Sequence, residues 1–528
     1  MSERPAWLAE ETPPPRRTLA QVLREQAAAR AGGDAMAAGG QRLSYRELEE
    51  QSGRIARSML ALGVRRGAHI GILMGNTLEW VLLFFAAARI GAVTVPLNTR
   101  FKSSELAYCL TQAEVRHLFH AARFLNIDFG AMLDEIPGKP EVSVATGSTA
   151  WLAFLHAGSA VPEARLLEAE AMVTPEDVLL IQYTSGTTSF PKGAQLSHHG
   201  MLGNALCAAR RIGVRTEDRY YSPRPFYHVG GSTLSLLVAL SAGACLLATP
   251  AFEPGEALAL MAAERATLMS GNDTIFQMLL AHPDFDAAKL CLRGGWAAAG
   301  PEVLDRIRSR MGMEGVCIAY GLSEASPNVV MSSWREPFEA RRSGAAFPHP
   351  GMEVRIARGS GAGSGAKGEI LVRGWSLMKG YWNMPQETAK AIDADGWLHT
   401  GDLGEIDDAG RLRFTGRLKD MFRVGGENVS PLEVEELLHT HPAIALAQVI
   451  GVPDARLGEV CCAYVMLRPG AALTPQELIE WCRPRCANFK SPRYVRIVAE
   501  FESLGMTGSS KVQKGRLRED ALREFGLG

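Results

Sequence analysis

At 528 residues, with 47% hydrophobic and 21% charged side chains, the chain has ordinary globular composition and enough length for two or more domains. A formal net charge of −1 excludes a general polyanion binder, because non-specific attachment to nucleic acid or anionic membrane shows as a basic excess. Nine cysteines, odd in number and scattered, exclude a disulfide framework and suit a reducing, cytoplasmic setting.

The first residues, MSERPAWLAEETPPPRR, are charged and proline-rich and show no secretory signal. Strand-length apolar runs then recur: Ile70 to Met74, Val93 to Leu97, Val178 to Tyr183, Ala244 to Thr249 and Val316 to Gly321. Longer helical patterns separate them, which predicts α/β layers with mainly parallel sheets. The longest apolar run, Trp80 to Asn98, contains Arg89 and ends in strand-like residues, so it reads as a buried helix and then a strand, not a membrane span.

Behind the run at Val178 comes YTSGTTSFPKG, Tyr183 to Gly193. Its hydroxyls and glycines suit a solvent loop, and with Lys192 they also suit a phosphate cradle. A Walker A loop is excluded because Gly186 and Lys192 are out of step with its spacing. A helix capped by Ser197 is expected directly after this loop. Residues 359–368, GSGAGSGAKG, read as the tip of a hairpin.

Beyond residue 417 shorter strands, Ala445 to Val452 and Val460 to Leu467, alternate with a helix from Thr474, predicting a small α+β domain. The expected division is 1–417 and 418–528, with Gly416 to Val429 a linker or a hinge. Cys482 and Cys486 have no second Cys/His pair nearby and read as thiols on neighbouring helical turns rather than a zinc site.

The chemistry-bearing motifs are TSGTTSFPKG at Thr184–Gly193, PFYHVGG at Pro225–Gly231, YGLSEAS at Tyr320–Ser326, and GWLHTGDLG at Gly396–Gly404. GRLKDMFRVGGENVSPLEVE at Gly416–Glu435 and TGSSKVQKGRLRE at Thr507–Glu519 follow. Taken together and in this order they resemble the adenylate-forming superfamily, most closely its fatty and aryl acyl-CoA synthetase branch. The resemblance implies a large N-terminal domain of layered sheets and helices with a small α+β domain on a hinge. It also implies a reaction: a carboxylic acid attacks the α-phosphate of MgATP, pyrophosphate leaves, and coenzyme A takes the acyl group from the adenylate.

Under that resemblance Thr184, Ser185, Gly186, Thr187, Thr188 and Lys192 hold the β- and γ-phosphates. Glu324, with Thr184, takes Mg²⁺ as hard oxygen ligands. Tyr320 stacks on adenine beside Ala298 and Gly300, with Gly321 and Ser323 at the nucleotide, and Asp402 and Arg417 hold the ribose. His228 gates the acyl carboxylate. Lys511 bridges that carboxylate and the α-phosphate, where charge crowds in the transition state. Lys419 is the hinge, and Gly425 and Gly426 let pantetheine pass close to backbone.

Three positions depart from the family pattern: Ser189 where glycine is usual, Ser323 where threonine is usual, and Ser510 where glycine commonly precedes the lysine. Acyl-pocket candidates lie in 226–233, 271–276, 294–300 and 326–331; there Trp296 either shortens the pocket or faces the core. A medium-chain, branched or aromatic acid is expected. The alternatives are a ligase loading a separate carrier protein and a nucleotide-binding pseudoenzyme; a homodimer is kept open. A hydrolase is disfavoured because GLSEA lacks the final glycine of G-x-S-x-G.

Overall fold

A computed structural model describes residues 4–184, 191–357, 367–506 and 512–527. Ser185 to Ser189, residues 359–366 of the expected hairpin tip, Ser510 and Lys511 lie outside the described residues.

Each apolar run singled out above is a strand: His69–Leu73, Val93–Pro96, Val178–Thr184, Cys245–Ala248 and Gly315–Gly321. They enter two sheets. One has six strands, five of them parallel, with Lys192–Ser197 antiparallel on its edge. The other has thirteen. Its first part is parallel through Cys245–Ala248, Leu268–Asn272, Gly294–Ala298 and Gly315–Gly321. From Asn328–Met331 onward it is antiparallel, so the expected parallel pairing covers only part of this sheet. Parallel strands need long helical crossovers, whereas hairpins need only turns. The strands Met352–Ile356 and Gly368–Gly374 pair antiparallel, as the hairpin reading requires.

The helix Leu78–Arg89 is almost wholly buried. Arg89 is kept there by Glu170 and by Glu49 Oε1 at 2.8 Å. A guanidinium tolerates burial when its charge is met this way. Among the described residues no helix is long and apolar enough to cross a membrane.

The last part of the chain has its own hydrophobic core, running from Phe422 to Ala521 and built around Val449, Tyr464 and Leu478. Its strands Ile444–Asp454 and Gly458–Leu467 have 11 and 10 residues, longer than the sequence suggested. The added residues are Ile444, and Pro453, Asp454, Gly458 and Glu459 on either side of the turn, where Pro453 stays in register opposite Glu459. The helix Pro475–Cys482 begins on a capping box of Thr474 and Glu477. Cys482 is its last residue and Cys486 lies one turn past its end, so the two thiols do not share a regular helix.

Candidate active site

The phosphate-loop ends come together in a hairpin. Thr184 pairs across the strands with Lys192, and its hydroxyl donates to the Lys192 carbonyl at 3.4 Å. The loop therefore does not run straight into a helix as expected: it returns through the strand Lys192–Ser197, and only then does Ser197 cap His198–Ile212 by accepting the Gly200 N–H at 3.0 Å. Gly193 is needed in that strand, since a Cβ would stand 2.7 Å from Ile181 Cγ2.

The outer edge of this strand carries a segment that the sequence reading missed. The Gln195 N–H donates to the Gly380 carbonyl at 3.0 Å and the Trp382 N–H to the Gly193 carbonyl at 2.8 Å. This docking places Tyr381 between two candidate site residues. Its hydroxyl donates to Glu324 Oε1 at 2.9 Å, and the Lys192 ammonium lies over its ring, 4.9 Å from the centroid. Lys192 Nζ also bonds Glu387 Oε2 at 2.9 Å. Lys390 and Lys192 hold the Glu387 carboxyl down at about 2. Burial, and then the Glu324 charge, pushes the Tyr381 phenol up. Tyr381 thus stays a neutral donor linking the cation to the carboxylate. The signal was the run GYWN at Gly380–Asn383, just past the strand Gly368–Gly374.

Glu324 lies in a single 3₁₀ turn, Ser323–Ala325, beyond the carboxyl end of the strand Gly315–Gly321, where α/β sheets bind ligands. Gly321 allows the close turn there, because a Cβ would come 2.0 Å from the Pro327 carbonyl oxygen. The neighbouring parallel strand Gly294–Ala298 ends beside it, bringing Ala298 and Gly300 to the same edge as Tyr320.

The Tyr320 ring stacks on Phe414 at 5.4 Å with planes 16° apart, and its hydroxyl donates to Asp402 Oδ2 at 2.9 Å. Burial, then the Asp402 charge, drives the Tyr320 phenol well up. Asp402 and Arg417 sit directly opposite each other on antiparallel strands, with Arg417 Nε 3.3 Å from Asp402 Oδ1. One flat ring, one carboxylate and one guanidinium therefore share an edge, which suits a nucleoside.

His228 accepts the Gly230 N–H on Nδ1 at 3.0 Å, so in the neutral ring the proton is on Nε2. Gly231 permits the turn, since a Cβ would lie 2.2 Å from the Pro225 carbonyl oxygen. Trp296 is buried at 4% exposure and donates to the Tyr220 hydroxyl at 3.0 Å, so it packs in the core at the base of this region.

The hinge and glycine candidates stand apart from these clusters. Lys419 is exposed in the 3₁₀ turn Leu418–Asp420. Gly425 and Gly426 form the tip of the hairpin between Phe422–Val424 and Glu427–Val429, with φ of 59° and 96°. Two successive positive φ values are what a two-residue hairpin turn demands and what glycine supplies. The Gly425 N–H donates to Leu457, within the small domain, at 2.9 Å. For Ser189 the test is kinetic: Ser189→Gly is expected to lower the KM for ATP and leave the acid KM nearly unchanged, if the position needs positive φ at a cost of about 1–2 kcal/mol for serine. An unchanged ATP KM would show ordinary backbone there.

Comparison with known proteins gives a consistent set of relatives. A family model described as AMP-binding enzyme matches residues 23–382, and one described as AMP-binding enzyme C-terminal domain matches 433–511. The 3-[(3aS,4S,7aS)-7a-methyl-1,5-dioxo-octahydro-1H-inden-4-yl]propanoyl:CoA ligase of Mycobacterium tuberculosis is 38% identical over 494 residues, covering 92% of this chain and 95% of that protein. The mitochondrial medium-chain acyl-CoA ligase ACSF2 of Bos taurus is 33% identical over 520 residues, covering 92% of this chain and 84% of its own. The solved o-succinylbenzoate CoA synthetase (MenE) of Bacillus subtilis, in complex with its acyl-adenylate intermediate, is 26% identical with a TM-score of 0.77, covering 94% of this chain and 97% of that one.

Proposed function

Because the chain belongs to the AMP-binding enzyme family, in its acyl-CoA synthetase branch, we infer that the two clusters at the strand ends are the halves of one ATP site. The chain is an acid–CoA ligase. The observation that carries the assignment of residues is the line Lys192–Tyr381–Glu324 beside the Tyr320–Asp402–Arg417 cluster, a phosphate end and a nucleoside end of one edge.

Lys192 turns from Glu387 to the β- and γ-phosphates when ATP enters, and Thr184, Ser185, Gly186, Thr187 and Thr188 hold them with it. Glu324 and Thr184 present hard oxygens and no softer ligand, a set that fits Mg²⁺, which when bound neutralises phosphate charge. Tyr320 faces the adenine, and Asp402 and Arg417 take the ribose hydroxyls. His228 orients the acid carboxylate through Nε2. Lys511 meets the charge that develops between carboxylate and α-phosphate. Residues 1–417 and 418–528 act as two bodies about Lys419, with Gly425 and Gly426 at the thiol's approach. The setting is cytoplasmic, in keeping with nine scattered cysteines.

The experiment is a panel of carboxylic acids with ATP, reading AMP release and thioester formation with coenzyme A and with an isolated carrier protein. AMP release with thioester on coenzyme A is expected. Thioester on the carrier protein alone would move the acceptor assignment, and ATP binding without AMP release from any acid would mark a pseudoenzyme.

A further inference from the structure

The loop leading to His228 carries a guanidinium with no internal counter-charge. Arg224 is half-buried, and its backbone is pinned at both ends: the N–H reaches Ser222 Oγ at 3.4 Å and the carbonyl accepts from Asn76 Nδ2 at 3.0 Å. Its guanidinium lies over the Trp296 ring, 4.4 Å from the centroid. Among the described residues no hydrogen bond or ion pair reaches it, and Nε is shut off from solvent without a partner.

Two other buried arginines are met in full. Arg211 has Glu11 Oε2 at 2.6 Å and the carbonyls of Met331, Phe347 and Pro348; Arg341 has the carbonyls of Glu336, Val316 and Glu314. Removing a charge from water without such partners is costly. The surrounding protein accordingly pushes the Arg224 guanidinium down to about 10. Unlike Arg211 and Arg341, this guanidinium is left bare next to His228, where it can meet something that arrives.

Where it would arrive follows from Gly230. The point at which a side chain on Gly230 would begin is 3.0 Å from Arg224 Nη1 and 3.1 Å from His228 Nδ1. That point is also 3.0 Å from Arg224 Cδ, so Arg224 packs close beside His228, and only glycine leaves room for the two side chains there. The core next to it in the chain is polar and small: the buried hydroxyls of Ser222, Ser235 and Ser270 are joined at 2.5 and 3.4 Å, and Tyr220 accepts the Trp296 N–H. An aliphatic tail gains little from a bare guanidinium, whereas an oxygen anion gains a planar, two-pronged donor.

We propose that Arg224 receives a second carboxylate on the substrate, at the inner end of the acyl pocket, so that the enzyme activates dicarboxylic acids in preference to matched monocarboxylic acids. This rests on the acid–CoA ligase reading, and it narrows the expected medium-chain, branched or aromatic acids to those with a second acid group. The reacting carboxylate meets His228 Nε2 while Arg224 fixes the far end, which sets the distance between the two groups.

The test compares linear and aromatic mono- and dicarboxylates of matched length, by kcat/KM for AMP release, in the wild type, Arg224→Met and Arg224→Lys. The wild type is expected to favour one diacid over its monoacid by about 10²-fold or more, as sites built around a polar partner reject analogues that lack it. Arg224→Met should reverse that preference and Arg224→Lys should recover part of it, with the ATP KM and melting temperature held. Equal loss of every acid in Arg224→Met would put Arg224 on the reacting carboxylate and overturn the proposal. So would a wild type that prefers monoacids, or a neutral keto acid matching the diacid. Thermal shift by the diacids, read without turnover, separates the two readings: a shift lost in Arg224→Met supports the second-carboxylate site even where no AMP forms, and no shift with working monoacid turnover leaves the ligase reading standing and sinks this one.

Discussion

Lys511→Ala is expected to lower pyrophosphate release from acid and ATP by about 10²–10³-fold, the usual cost of removing one preorganised donor from developing charge. Conversion of supplied acyl adenylate to thioester should be largely spared. The rival assignment is that Lys511 is one more surface cation in a basic tail. Two neighbours in that tail have structural partners: Lys514 bonds Glu435 at 2.7 Å and Arg518 bonds Glu459 at 2.8 Å, both inside the small domain. Those charges hold the helix Lys514–Glu524 to its own core. Against the large domain the small one makes sparse polar contacts, Lys367 to Glu433 at 3.1 Å and His439 to Asp273 at 3.9 Å, with Ser430 donating to the Thr415 carbonyl at 2.9 Å. Contacts of this kind let domains move. Lys419→Pro fixes φ at the proposed hinge. It is expected to keep adenylation and slow thioester formation, as when a domain motion gates a step. Pyrophosphate and thioester measured separately decide the matter: equal proportional loss of both half-reactions in both variants would end the two-body reading.

What the sequence disclosed was local. Strands such as Val178–Thr184 announce themselves by continuous apolar runs, and the Ser197 cap by its residue type, because both are decided within a few residues. Motif residues were legible singly, so Asp402 and Arg417 could be named for one ligand. Their direct opposition across two strands could not, since register is set by bulges such as the one between Leu403 and Gly404. Tyr381 and Glu387 were missed for the same reason at longer range. Lys192 and Glu387 are 195 residues apart, and only the docking of Gly380 on Gln195 brings them together. Arg224 was passed over because a sequence shows a charge and never shows that its partner is missing.

Asp402→Ala is expected to weaken ATP binding by roughly 1–3 kcal/mol, the cost of leaving hydrogen-bond partners unpaired. Asp402 does two jobs before any nucleotide arrives, because it is 4% exposed and takes both the Tyr320 hydroxyl and the Arg417 guanidinium. Its loss could act through a displaced Tyr320 ring rather than through the ribose. Tyr320→Phe separates the two, since it removes the 2.9 Å bond yet keeps the ring against Phe414. Its ATP affinity should fall far less than that of Asp402→Ala. The ribose itself is tested with the 2′,3′-dideoxy analogue. The wild type should discriminate against the analogue and Asp402→Ala should not, because a carboxylate that is absent cannot sense a missing hydroxyl. Equal use of ATP and the analogue by the wild type would remove the ribose from Asp402 and leave it a brace for Tyr320 and Arg417.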